Sequence, residues 1–409
     1  MLVGSLPLSY ATLGQPRRVP PSRLARVQIR LSQAFPRGCA VLRSHRRLTL
    51  RTSRVTTEVI AREDEQVDLW ASVDRLVDRA ATLADIQHHR LDLFAARRWR
   101  SLGKPVPPAL VHEERAAALA AMLGPKLLQK VRTTLDGPVM LFKGMEAASF
   151  YPGLLRPFND IDLLVEDSKM AQEALLNADF VEVGDPELFR DIHHERPLCL
   201  PGLPLAIELH HSVKWPERLT APSTHEILES GIPSATGVEG LLAPPPEQHA
   251  VLLAAHAWTH LRLRRLIDLV DVAAVTSEVG AAAALAVARR WRVERLWRAT
   301  EATANSVLFD GKTTWGERLW AGNLRSVRDR TVFEAHVDRW LAPFWALPAH
   351  EAIRGLGSTL LWEVTPAEGE NWSNKGARMW RALRNASVGR SEHESQLGED
   401  AHKRRRPRG

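Results

Sequence analysis

The stretch VMLFKGMEAASFYPGLLRPFNDIDLLV, residues 139–165, decides the fold of this 409-residue chain. Its pattern predicts an apolar strand that ends at Lys143 and Gly144, then a short helix and a loop that contains Arg156. A second strand follows, with the sequence DIDLLV. The stretch therefore predicts two strands connected through a short helix and a loop.

The two acidic residues of DIDLLV are predicted to share one face of the second strand, because strand side chains alternate with period two. Asp160 and Asp162 then lie about 6–7 Å apart at their Cα atoms. The three aliphatic residues of the other face anchor the core: Ile161, Leu163 and Val165. Carboxylates that close repel each other, and a Mg²⁺ ion between them would remove the repulsion. The alternative is two ordinary solvent-facing residues at a sheet edge.

Positive charges flank the acidic pair. Lys143 and Gly144 end the first strand and Arg156 precedes the second, so all three are expected near the edge of the sheet that holds the carboxylates. Gly144 offers a sterically permissive backbone, while Lys143 and Arg156 offer cations for phosphates. Cations and metal-binding carboxylates together are the groups that phosphoryl-transfer chemistry requires.

A third carboxylate lies on a later strand. The segment LAIELH, residues 205–210, alternates between an apolar face and a face that contains Glu208 and His210. Asp160 and Asp162 on one strand and Glu208 on its neighbour could hold two metal ions about 3.5–4 Å apart.

These motifs together resemble a known family. The Lys-Gly pair, the spaced Tyr151 and Arg156, the DIDLLV run and the later IELH are similar to the uncharacterised nucleotidyltransferase family, part of the DNA polymerase β-like superfamily. The resemblance covers roughly Leu141 to Val275, about a third of the chain. It implies a nucleotidyltransferase fold, ATP or another NTP as substrate, and Mg²⁺ as cofactor.

Carried over by position, the resemblance makes Asp160, Asp162 and Glu208 the metal ligands. One motif differs. Better known members of the superfamily have Gly-Ser after the first strand, whereas Gly144 is followed here by Met145. Lys143 and Gly144, together with the arginine of the following loop, are therefore expected to bind the phosphates.

The expected fold class is α+β: a polymerase β-like mixed sheet with helices, flanked by an N-terminal helical cap and a C-terminal helical bundle. The predicted organisation is a basic disordered leader (1–57), an N-terminal helical region (58–135), the catalytic domain (136–230), a C-terminal helical domain (247–365) and a disordered basic tail (366–409). The leader is interpreted as a disordered extension, or as the product of a start codon assigned too far upstream. The alternative is a transit peptide.

Charge and cysteine content limit the partners and the compartment. The net charge of +7 comes from the ends, because residues 1–57 contain eleven Arg and no acid and residues 401–409 contain five more Lys and Arg. The body is acidic, which argues against a nucleic-acid-binding body. Cys39 and Cys199 form no disulfide framework or metal motif, and no apolar run is long enough to span a membrane. We therefore expect a cytoplasmic protein without a membrane partner.

Several histidines and a later Asp are open to two interpretations. His193 and His194 are expected to be surface or loop residues, because no metal partner is apparent near them in sequence. His256 and His260 lie on the apolar stripe of a predicted helix, so buried and hydrogen-bonded histidines are expected rather than ligands. In the resembled family this region also contains His and Asp, so both histidines and Asp268 could instead line the acceptor side of the cleft.

The leading hypothesis is transfer of a nucleoside monophosphate, AMP in the first instance, from an NTP to an unidentified acceptor by a two-metal mechanism. We expect the acceptor to be a small molecule, a peptide or a protein rather than a nucleic acid. The rival hypothesis is a catalytically lapsed nucleotidyltransferase fold that binds a nucleotide or a protein partner. A γ-phosphate transfer, as in a kinase, is the third.

Overall fold

A computed structural model describes residues 69–153, 155–189, 193–216, 219–366, 371–387 and 391. The leader predicted for residues 1–57 and the basic end of the predicted tail lie outside these ranges. All described residues belong to one of two units of the chain, the unit of residues 52–409.

The centre of the fold is a mixed sheet of seven strands in the order β3-β4-β5-β2-β1-β7-β6. The strands are β1 (Val139–Leu141), β2 (Asp160–Val165), β3 (Val181–Glu182), β4 (Leu198–Cys199), β5 (Ala206–His210), β6 (Ile232–Pro233) and β7 (Leu241–Ala243). Strand β1 runs antiparallel to β2 and parallel to β7, whereas β2 runs parallel to β5. Strands β4 and β5 pair antiparallel, in agreement with the hairpin that the sequence predicts around Pro201 and Gly202. The predicted α+β fold with a mixed sheet is confirmed.

Helices precede the sheet, interrupt it and follow it. Residues 69–79 are helical, and α1 (Leu83–His88), α2 (Asp92–Ser101) and α3 (Pro108–Thr134) follow. Short helices α4 (Met145–Ala148), α5 (Ser168–Leu176) and α6 (Thr224–Glu229) lie between strands. The C-terminal helices are α7 (Pro246–Leu261), α8 (Leu266–Val279), α9 (Ala281–Arg290), α10 (Glu294–Leu308), α11 (Trp315–Trp320), α12 (Gly322–Ser326), α13 (Val332–Ala346), α14 (Ala349–Val364) and α15 (Trp372–Ser387). None of the helices in these ranges could span a membrane alone, although α8 and α9, bent by 107°, pass that test of length and composition as a pair.

Both faces of the central strands are buried, because helices cover each side of the sheet. Ile161 and Leu163 of β2 pack in a core with Leu128 of α3. Leu164, on the other face, belongs to a second core with the C-terminal helices, including Leu269 of α8. The acidic face of β2 is therefore open only near the start of the strand, where Asp160 is partly exposed.

Two local predictions were wrong: the sequence predicts a helix break at Gly124-Pro125 and a helix cap at Ser168. Gly124 and Pro125 do not break α3, which continues through both. A Cβ on Gly124 would overlap the Met145 side chain, so the helix packs closely at this point and tertiary packing offsets the hydrogen bond that a proline removes. Helix α5 is capped by Asp167, which accepts from the Met170 amide, whereas the hydroxyl of the predicted cap, Ser168, donates to a glutamate.

The apolar stripe of His256 and His260, which the sequence predicts to continue along one helix to Ala274, is divided between α7 and α8. Arg262 and Leu263 have positive φ angles of 46° and 52°, which end α7 and turn the chain before α8 begins at Leu266. Within the predicted disordered tail, Trp372–Ser387 form helix α15, which packs on α13. The prediction of disorder is wrong for these residues, because their helical pattern finds a surface to pack on.

Candidate functional site

Strands β2 and β5 position the three predicted carboxylates. The parallel register places Asp162 directly opposite Glu208 and places Asp160 opposite Ala206. The apolar residues between the acids are fully buried, which fixes the face that the acids occupy. The structure therefore brings the three carboxylates to one face of two neighbouring strands, with Asp162 buried and Asp160 and Glu208 partly exposed.

A lysine is paired with the central carboxylate. Lys143 Nζ lies 3.2 Å from Asp162 Oδ1. Burial acts to lower the pKa of Lys143, but the surrounding carboxylates outweigh burial and raise it. Burial likewise acts to raise the pKa of Asp162, but Lys143 and a hydrogen bond from His210 hold it well below its usual range. Lys143 is therefore a cation and Asp162 an anion at neutral pH.

The two outer carboxylates differ in their protonation. Burial, and then the charge of Asp162, raises the pKa of Asp160. The hydrogen bond from His210 outweighs burial at Glu208 and lowers the pKa of its carboxyl group. Glu208 is thus the more acidic of the two, and a cation that neutralised Asp162 would favour ionisation of Asp160.

A metal ion fits part of this arrangement. Asp162, Glu208 and His210 each offer a ligand atom, and these atoms lie within 4.8 Å of one another. Asp160 is not part of that group and stays a predicted ligand. Asp162 Oδ2 is buried and has no hydrogen-bond partner among the described residues. A buried acceptor left in that state is unfavourable, so a cation would complete the site.

The turn after β1 depends on a glycine. Gly144 has φ 54° and ψ −111°, a conformation that residues with a Cβ rarely adopt. A Cβ there would also lie 2.8 Å from the backbone oxygen of Asp160. The predicted permissive glycine is thus what lets the chain turn closely against the start of β2.

The structure places Arg156 in a buried ion pair with Asp271, and its charge also acts on Asp160 of β2. Its guanidinium donates to both oxygens of Asp271 on α8, at 2.7 and 2.8 Å, and to the Gly144 carbonyl at 2.9 Å. Tyr151 donates to the same Asp271 carboxylate at 2.6 Å. Arg156 therefore joins α8 to the Gly144 turn, and its role in phosphate binding stays a prediction.

Two cations near the site were not identified from the sequence. Lys214, just after β5, lies close enough to Lys143 and Glu208 for their charges to interact. Arg90, between α1 and α2, interacts in the same way with Asp160. The position of Lys214 after the IELH strand was a usable signal, whereas Arg90 belongs to no motif.

The two histidines before β4 lie close to Glu208 and His210 of β5. His194 is buried, and its Nε2 lies 3.9 Å from Glu208 Oε2. The His193 ring is 5.2 Å from the His210 ring. His194 lies outside the helices and strands, as expected of a loop histidine, but it is buried rather than at the surface, and an isolated bridge pairs it with His210 of β5.

Two residues of the first C-terminal helices interact electrostatically with the site. His256 on α7 is close enough to Asp162 for its charge to influence that carboxyl group. Burial, and then the charge of Asp271, raises the pKa of Asp268 to about 6, and Lys143 is among the charges that act on it. The side chain of His260 lies outside the described residues.

Similarity to known proteins identifies the family of the chain. No curated protein matches the chain. The model of a family described as uncharacterised nucleotidyltransferase matches residues 76–308. That range is more than half of the chain, and it extends from the N-terminal helices through the whole sheet to α10. The chain therefore belongs to the uncharacterised nucleotidyltransferase family.

Proposed function

We propose that this protein transfers a nucleoside monophosphate, AMP in the first instance, from an NTP to an acceptor and releases pyrophosphate. The observation that carries this proposal is the pairing of Asp162 with Glu208 on adjacent parallel strands, with Lys143 at 3.2 Å from Asp162. Carboxylates for a divalent cation and a buried ammonium beside them are suited to a triphosphate. Membership of a nucleotidyltransferase family supports the same reaction class.

The cations of the site have separate roles in this proposal. Lys143, Lys214 and Arg90 balance the charge of the phosphates, since all three interact with the site carboxylates. Arg156 acts on the Gly144 turn through its hydrogen bond to the Gly144 carbonyl. This assignment moves Arg156 from phosphate binding to positioning of the phosphate-binding turn.

Divalent cations have a defined place in the proposal. Asp162 and Glu208 would hold one with His210, and Asp160 and Asp162 would hold a second together with the phosphates. Mg²⁺ suits the second position, because all of its ligands there are oxygens. When bound, such ions neutralise phosphate charge and lower the pKa of the acceptor hydroxyl.

The bond changes are those of a single displacement. An acceptor hydroxyl oxygen forms a bond to the α-phosphorus, the bond from that phosphorus to the α,β-bridging oxygen breaks, and pyrophosphate leaves with that electron pair. The hydroxyl proton passes to a carboxylate of the site. Glu208 and Asp268, whose pKa burial and the charge of Asp271 raise to about 6, are the two candidates for this carboxylate.

A small molecule, peptide or protein is the proposed acceptor, and the cytoplasm is the proposed compartment. The acidic body of the chain supports an acceptor other than nucleic acid. Asp268 on α8 supports an acceptor bound between the sheet and the C-terminal helices.

The lapsed-enzyme alternative is favoured by one contact. Lys143 already neutralises Asp162, as a lysine would if it replaced a metal ion.

Two measurements separate the transferase from the lapsed enzyme. The first is thermal stabilisation by ATP with Mg²⁺, and the second is release of pyrophosphate with extract fractions as the source of acceptor. Stabilisation with pyrophosphate release that Asp162→Asn abolishes supports the transferase. Stabilisation without release supports the binding module, and release of ADP supports a kinase.

A further inference from the structure

Three histidines surround the Glu208 side of the site. The His194 and His210 rings lie 5.0 Å apart, and His193 lies 4.9 Å from His194. Two of these rings approach Glu208 Oε2: His210 Nε2 at 3.6 Å and His194 Nε2 at 3.9 Å. The immediate surroundings of Glu208 therefore contain two imidazole nitrogens as well as carboxylate oxygens.

The backbone fixes which nitrogen of His194 carries the proton. His194 Nδ1 lies 2.7 Å from the Glu195 carbonyl oxygen. A carbonyl oxygen only accepts hydrogen bonds, so Nδ1 carries the proton and the neutral ring has its lone pair on Nε2. That lone pair faces the Glu208 carboxylate. Two acceptors facing each other at 3.9 Å fit a cation between them.

The same hydrogen bond is typical of metal-bound histidines. A histidine that binds a metal almost always donates its second ring N–H to a carboxylate, a backbone carbonyl or a water. His194 has this arrangement through the carbonyl of Glu195. Its ring is thus oriented by the backbone independently of any metal.

A buried oxygen provides a second, independent observation. Asp162 uses Oδ1 for both Lys143 and His210, at 3.2 and 3.1 Å. Its Oδ2 is buried without a hydrogen-bond partner in the part of the chain that the structure describes. The carboxylate as a whole is only 2% exposed. One oxygen of Asp162 is therefore left for a further cation.

We infer that the Glu208 side of the site is a mixed nitrogen–oxygen position that binds a first-row transition-metal ion in preference to Mg²⁺. Asp162, Glu208 and His194 are its ligands, and His210 becomes the fourth by losing the Nε2 proton that it donates to Asp162 in the metal-free site. Mg²⁺ favours oxygen ligands, whereas sites with imidazole ligands bind first-row transition-metal ions with an affinity that rises from Mn²⁺, the weakest, to Cu²⁺. Metal binding at this position does not depend on the proposed function. Only a role of the bound ion in nucleotidyl transfer rests on it.

Pulsed electron paramagnetic resonance of the full-length protein loaded with Mn²⁺, without nucleotide, tests the ligand set directly. The wild type should show a ¹⁴N coupling from bound imidazole, replaced by a ¹⁵N coupling in protein labelled with ¹⁵N-histidine. Mn²⁺ should bind at least about tenfold more tightly than Mg²⁺ in competition. His210→Gln and His194→Gln should each reduce that preference about tenfold. The matched control is His112→Gln, an exposed histidine of α3.

The outcomes separate this inference from the proposed function. Absence of nitrogen coupling in the wild type overturns the mixed site, even where pyrophosphate is released with Mn²⁺. Coupling that persists unchanged in both histidine variants overturns the assignment of ligands. Nitrogen coupling in a protein that releases no pyrophosphate with any NTP supports the metal site and contradicts the transferase. The labelled wild type decides the question where a variant fails to fold.

Discussion

Loss of Asp271 should destabilise the protein far more than loss of an exposed ion pair. Arg156 and Asp271 are 9% and 6% exposed, and three hydrogen bonds from two side chains converge on the Asp271 carboxylate. Removing one partner of a buried pair leaves an uncompensated charge, at a cost of about 3–5 kcal/mol. Asp271→Asn should therefore lower the unfolding free energy by about 3 kcal/mol, measured by urea denaturation. Arg298→Met is the control, since its pair with Glu294 on α10 is exposed and worth about 0.3–0.5 kcal/mol.

The double variant makes this prediction sharper. Arg156→Met with Asp271→Asn contains no unpaired buried charge, so its loss of stability should be clearly less than the sum of the single losses. Additive losses, or an Asp271→Asn loss no larger than that of Arg298→Met, would refute the reasoning. Nucleotide affinity gives a second result. If Arg156 positions the Gly144 turn, Asp271→Asn weakens ATP binding, whereas a phosphate-binding Arg156 released from its partner would bind ATP more tightly.

Three further predictions concern the turn, the lysine and a buried histidine. Gly144→Ala should lower the melting temperature and the nucleotide affinity more than the control Gly153→Ala. Both glycines have positive φ, but only Gly144 has a backbone atom within 3 Å of the new Cβ. Equal effects of the two substitutions would contradict the role of the Gly144 turn. Lys143→Met should weaken ATP binding about ten- to a hundredfold in calorimetry, because a charged hydrogen bond worth about 1.5–3 kcal/mol is lost. It should tighten Mn²⁺ binding without nucleotide, because no ammonium group near Asp162 repels the ion. Unchanged affinities for both would show that Lys143 does not act in the site. Burial lowers the pKa of His249 from 6.5 to about 4. The unfolded state therefore takes up the proton first, and the unfolding free energy falls as pH decreases from about 6.5 towards 4. In urea denaturation the unfolding free energy of His249→Gln should fall less over this pH range, and the same pH dependence as in the wild type would contradict the prediction.

The sheet and its acidic face were predictable because the signals are local. DIDLLV and LAIELH each alternate within six residues, and the hairpin before Glu208 is marked by Pro201 and Gly202. Strand alternation alone predicts that Asp160 and Asp162 share a face. The register that sets Asp162 opposite Glu208 joins residues far apart in sequence, so the sequence predicted three acids on polar faces but not which two are neighbours.

The partners of the charged residues could not be predicted for the same reason. Arg156 finds Asp271 at a separation of 115 residues, and the loop pattern around Arg156 contains no sign of that contact. Asp271 also lies on the apolar helix α8, where a carboxylate reads as an isolated polar residue. The prediction that Arg156 binds the phosphates therefore rests on its position in the sequence alone.

The histidine cluster shows a different limit. The alternation of β5 predicts that His210 shares a face with Glu208, but it does not show that His210 contacts Asp162. His193 and His194 lie in an irregular segment without periodicity, so no sequence pattern predicts their approach to β5. Their position follows from the bridge between His194 and His210, a tertiary contact.

The fate of the two ends of ATP tests the central claim most directly. Full-length protein is incubated with Mg²⁺ or Mn²⁺, extract fractions, and ATP labelled in parallel at the α- or the γ-phosphate, beside an Asp162→Asn control. We predict that the α-label appears on an acceptor, that the γ-label appears only in pyrophosphate, and that Asp162→Asn gives neither product. Transfer of the γ-label to the acceptor, or identical products from wild type and Asp162→Asn, would contradict nucleotidyl transfer at this site.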